Sequence, residues 1–165
     1  MDFNVLPIFS LDNDYLKLPK EYLENSGLKS DKDIILYSRQ MVTNLNDFLM
    51  NEVIKNSRLG WILGCPGTGK SISTFSMLPN MINEEWEIRW FHVYRNEPPT
   101  CTLLNKNGKY FQELEYEDIK DMILSFNEKK IIVFIDGYVN SNTKHNDIYQ
   151  VLIVGLKIIN LIDLL

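Results

Sequence analysis

The sequence predicts an α/β fold built on a mostly parallel sheet, and three observations predict it. Short apolar or β-branched runs at 59–63, 86–94 and 131–135 alternate with segments whose apolar residues recur at helical spacing. Strand, helix, strand, helix, strand is the order that a parallel sheet requires. The first run ends in a glycine-rich loop that opens a predicted helix, and the last ends in a carboxylate, Asp136.

Taken in order, residues 1–33 are rich in Asn, Asp, Leu and Pro without a sustained period. They predict an irregular lead-in with a short helix near Tyr22, and residues 34–165 then form the domain proper, one domain overall. From Asp33 to about Lys55 the apolar residues Ile35, Met41, Leu45, Phe48, Leu49, Val53 and Ile54 recur at helical spacing. This predicts one helix, with Asp31 or Asp33 as its cap. Residues 59–63 suit a buried strand. The helix after Lys70 is expected to end or kink near Met77, because Pro79 removes a backbone donor.

The aromatic and β-branched run WEIRWFHVY at 86–94 predicts the second strand. Asn107-Gly108 between two apolar pieces predicts a β-hairpin insertion near 100–111, on the edge of the sheet. Residues 116–126 predict an amphipathic helix with Ile119, Met122, Ile123 and Phe126 on one face, and KIIVFIDG at 130–137 a core strand. The tail VLIVGLKIINLIDLL, broken by Lys157, Asn160 and Asp163, is too short for a membrane span and predicts a buried element.

Composition narrows the classes. The 165 residues are 45% hydrophobic and 24% charged, an ordinary globular profile that excludes a disordered chain. A net charge of -5 argues against a general nucleic-acid surface, which needs clustered Lys and Arg. Cys65 and Cys101 lack metal-type spacing and fit a reducing compartment. With no basic, apolar start to suggest a secretory signal, the expectation is an intracellular protein of cytoplasm or nucleus.

The chemistry lies in Gly64-Cys65-Pro66-Gly67-Thr68-Gly69-Lys70-Ser71, the full P-loop (Walker A) pattern G-x-x-x-x-G-K-[ST]. Glycines let the backbone turn sharply and aim its amides at phosphate oxygens, and the helix that runs on through Ile72 adds its positive end. Lys70 reaches the β- and γ-phosphates and Ser71 ligates Mg2+. Asp136 is the matching Walker B carboxylate that supports the metal, on a strand expected beside the loop strand. The fold expected is therefore a P-loop NTPase-like three-layer sandwich, and the cofactors are ATP and Mg2+.

One position is missing. Many hydrolytic P-loop enzymes carry a Glu directly after the Asp to polarise water, and this chain has Gly137. Glu97, just past the second strand, is the remaining candidate base, and Asn140 or Asn142 could orient a water instead.

The lead-in Leu18-Pro19-Lys20-Glu21-Tyr22, the Tyr37-Ser38-Arg39 helix start, WILGCPGTGKS and IIVFIDG together resemble the P-loop ATPase domain of Crinkler and retrotransposon-hot-spot proteins. Those belong to the ATPases with an additional strand, a class that includes AAA-type enzymes. The resemblance covers most of residues 15–137 and implies ATP binding by residues 64–71, metal support by Asp136, and Asp-Gly as a family trait. For Crinkler-type members it also implies secretion or transfer into a host cell and action in a nucleus. The chain departs from the pattern in showing no translocation segment and no nuclease or kinase-like domain. Only 28 residues follow Gly137, too few for the later strands, the sensor residue and the arginine-finger region.

The sheet is accordingly expected to be truncated at its C-terminal end, with an apolar edge exposed. Residues 151–159 would supply one more strand or helix, or a protein partner or second copy would cover the edge. Two functions follow. One is an ATPase that binds MgATP through Lys70, Ser71 and Asp136 and hydrolyses it slowly or with a partner's help. The other is a nucleotide-dependent interaction or effector-type module without catalysis of its own. A small kinase is a third reading, weakened because Lys144 and Lys157 are the only basic residues after Asp136.

Overall fold

The computed structural model describes residues 10–12, 15–28, 30–37, 39–65, 67–93, 97–124, 130–138 and 158–163. Asn140, Asn142 and residues 151–157 lie outside them. The molecule is a mixed α/β structure with a six-stranded mixed sheet and a smaller three-stranded antiparallel one.

The lead-in is more regular than the sequence predicts. Strands β1 (Ser10–Asp12), β2 (Tyr15–Leu18) and β3 (Ile34–Tyr37) pair antiparallel in that order, with the short helix α1 (Lys20–Leu23) between β2 and β3. The pairing of Leu18 with Ile34 carries this small sheet across the expected boundary at 33–34. The helix expected from Asp33 is thereby corrected. Residues 34–37 alternate between half-buried and exposed, a two-residue period within the longer helical pattern, and β2 supplies their backbone partners. Asp33 caps the wrong helix for that expectation: it accepts from the Lys20 amide at 3.0 Å and pairs with Lys17 Nζ at 2.7 Å, and so starts α1. The helical pattern is taken up later by α2 (Gln40–Phe48) and a π-helical segment (Leu49–Ile54) that buries Leu49, Val53 and Ile54.

The large sheet comprises β4 (Gly60–Gly64), β5 (Glu87–His92), β6 (Thr100–Asn105), β7 (Gly108–Glu113), β8 (Ile131–Tyr138) and β9 (Ile158–Asp163), ordered β4-β9-β8-β5-β6-β7. The neighbours β4, β9, β8 and β5 run parallel, and the Asn107-Gly108 hairpin adds β6 and β7 antiparallel at the edge, as expected. The Asp136 strand is not beside the loop strand. β9 lies between them, paired with β4 on one side and β8 on the other. Ile158, Ile159, Leu161 and Ile162 are residue types suited to a strand paired on both edges, so the tail enters the sheet as an inner strand while β4 stays at its edge.

Between the strands run α3 (Lys70–Phe75), α4 (Leu78–Asn83) and α5 (Tyr116–Leu124). The break at Ser76-Met77 falls where the sequence predicts it, and Pro79 sits in the first turn of α4, where no amide donor is required. Strand alternation divides the core between the two faces of the sheet. Ile88, Trp90, Ile132 and Phe134 pack with Phe75, Leu78, Leu49 and Leu23 in one cluster. Phe91, Val93, Val133 and Ile135 pack with Ile119 and Cys101 in the other.

One buried cation joins the lead-in to the hairpin. Lys109 of β7 is 6% exposed, and its Nζ donates to the carbonyls of Glu21 at 2.7 Å, Tyr22 at 3.1 Å and Glu24, which the end of α1 leaves without helical partners. Burial pulls this ammonium down from 10.5 to about 8. The unfolded chain therefore keeps a proton that the folded chain releases between those two values, so this residue makes stability rise with pH across that window. Melts at about pH 7.5 and about pH 9.5 should show the wild type gaining stability relative to Lys109→Met at the higher pH. Parallel behaviour of the two chains would refute the assignment.

Candidate functional site

The site is assembled where β4 passes through the glycine-rich loop into α3. Gly67 and Gly69 have φ of 77° and 82°, a left-handed backbone that glycine adopts without strain. A Cβ built at either would meet nothing within 4 Å, so the face of the loop in front of these glycines is open. The loop is tied to itself through the Cys65 carbonyl, which accepts from Thr68 Oγ1 at 2.9 Å and Lys70 Nζ at 2.9 Å. The amide of Ser73 bonds the Gly69 carbonyl at 2.8 Å and so starts α3 directly behind the loop.

Asp136, 8% exposed on β8, connects to this loop through a side chain rather than through strand pairing. Ser71 Oγ donates to Asp136 Oδ1 at 2.9 Å, spanning the intervening strand β9. The other carboxylate oxygen, Oδ2, lies 3.3 Å from His92 Nδ1. His92 stands opposite Asp136 in the parallel register of β5 and β8, and the Val93 amide donates to the Asp136 carbonyl at 2.8 Å. The sequence reading passed over His92, which sits inside an aromatic strand; its place at the carboxyl end of a strand flanking Asp136 was the available signal.

Lys70, Ser71 and Asp136 are thus gathered at one end of the sheet. Glu97 is not. It is exposed in the loop before β6, and among the described contacts none links it to Ser71 or Asp136. Gly137 shows why no Glu stands after the aspartate. Its φ is 81°, and a Cβ there would lie 2.5 Å from the Val93 carbonyl oxygen, a distance no side chain tolerates.

The donor set bears on which metal could fit. Among the described residues there is no group of three or more His, Cys, Asp or Glu that could hold a metal ion by themselves. A hydroxyl and one carboxylate match instead what Mg2+ takes from a protein when substrate phosphates and waters complete its shell. Comparison with family models, with curated proteins and with solved structures returned no match for this chain. Among the described residues no helix is long and apolar enough to cross a membrane.

Proposed function

We propose that this chain binds ATP with Mg2+ through its glycine-rich loop, as a P-loop NTPase-like three-layer sandwich of the kind its resemblance to Crinkler and retrotransposon-hot-spot ATPase domains implies. The observation that carries the reading is the 2.9 Å bond from Ser71 to Asp136, which joins the loop to a strand-end carboxylate 65 residues away beside an open, left-handed glycine turn. Apolar clusters on both faces of the sheet, and a strand inserted between loop and carboxylate, support the three-layer, additional-strand form of the fold.

In this reading the loop amides and Lys70 hold the phosphates, while Ser71 and Asp136 hold the metal. Bound Mg2+ would neutralise phosphate charge. The chain works in the cytoplasm or nucleus, and hydrolysis is slow or depends on a group from a protein partner. The backbone contact at Gly137, which excludes a Glu directly after Asp136, favours the second reading, a module that uses ATP as a switching ligand.

Titrating the purified chain with MgATP, while measuring phosphate release, separates the two. Binding with turnover supports the ATPase, binding without turnover supports the module, and no binding defeats both. Labelling gives an independent check. Cys65 is exposed in the loop, whereas burial pushes the Cys101 thiol up to about 12 and leaves it inert. Maleimide should modify Cys65 alone, and MgATP should slow it; a rate unaffected by saturating nucleotide would count against the site.

A further inference from the structure

The nucleotide reading gives His92 no part, yet the fold confines this residue closely. Its side chain is 15% exposed, with Nδ1 at the carboxylate oxygen that Ser71 does not use. With one oxygen on Ser71 and the other on His92, the Asp136 carboxylate is restrained about its last torsion from two sides. Facing a carboxylate, Nδ1 carries the proton and donates.

The lead-in lies against the Nδ1 edge of the same ring. Gly27, at φ 84°, lies so near that a Cβ there would stand 2.2 Å from His92 Nδ1 and 2.4 Å from Cγ. That turn is itself anchored to the large sheet. Thr102 Oγ1 donates to the Asn25 carbonyl at 3.1 Å, Trp90 Nε1 donates to the Ser26 carbonyl at 2.9 Å, and Lys109 holds the carbonyls just before them. The Nδ1 edge of the imidazole is therefore in reach of both an anchored backbone turn and the carboxylate.

We propose that His92 is a positioning residue that orients Asp136 for the metal shell, and that the turn at Gly27 holds His92 in place, so that the lead-in belongs to the Mg2+-nucleotide site. This rests on the nucleotide reading. Groups that hold a metal-supporting residue from behind typically contribute 10- to 100-fold to metal affinity.

The test uses the full chain, a fluorescent ATP analogue, and titrations in Mg2+ and in EDTA. His92→Ala should weaken binding about 10-fold or more in Mg2+ and less than about twofold in EDTA. His92→Asn, whose amide can still donate to Asp136, should recover most of the loss. Gly27→Ala should behave like His92→Ala, and in the double variant the second change should add nothing, the mark of two residues acting on one group. If Gly27→Ala does not fold, the two His92 variants decide. Unchanged Mg2+-dependent binding in His92→Ala, an equal loss in Mg2+ and EDTA, or no recovery with Asn would each overturn the proposal while leaving nucleotide binding standing. A wild-type chain that binds the analogue in neither condition overturns both.

Discussion

Lys70→Ala is expected to lower affinity for ATP at least about 100-fold, through the loss of about 3 kcal/mol of charge-assisted hydrogen bonding to phosphate. The fold should survive. Lys70 is half-buried at the first position of α3, and its ammonium bonds the carbonyl of Cys65, a residue exposed to water that can take over the contact. Substitutions of that kind change stability by about 0.5 kcal/mol or less. The measurement is a nucleotide titration beside a thermal melt, with both chains at one concentration. A variant that binds ATP as the wild type does would remove Lys70 from the site, whereas one that loses binding only because it melts would show nothing about phosphate.

Gly137 carries the second large effect. Gly137→Glu, which writes a carboxylate into the position where many hydrolytic P-loop enzymes carry one, is expected to weaken the protein rather than create turnover. A side chain at φ 81° costs about 1 kcal/mol or more, and its Cβ must move away from the Val93 oxygen 2.5 Å off. Together these predict a loss of about 3 kcal/mol in urea melts, with Gly137→Ala losing nearly as much because the conflict begins at Cβ. Full stability together with accelerated phosphate release in the Glu variant would show that the backbone here is not the obstacle.

The same position shows how far the sequence could be read. Asp-Gly after an apolar strand is legible as a departure from Asp-Glu, but not as a consequence of β5 lying against β8, because that contact joins residues 93 and 137. The turn of the loop was legible, since its pattern is written in eight consecutive residues and its two described left-handed positions both fall on glycine. The strands at 60–64, 87–92 and 131–138, the hairpin and the break before α4 were legible for the same local reason. The misreadings share a different cause. Residues 34–37 sit within a run of helical period, and only pairing with 15–18 makes them a strand.

What the sequence determined by itself is whatever rests on neighbours in the chain: the glycine-rich turn, the alternation of strand and helix, and the acidic charge that argues against a nucleic-acid surface. Tertiary structure alone decided which strand lies between the loop and Asp136, that the lead-in forms a small sheet and ties the end of α1 to the hairpin, and that His92 stands at the carboxylate. The physical reason is that strand order and side-chain juxtaposition depend on backbone partners and packing supplied from far along the chain. No window of sequence long enough to specify a turn contains them.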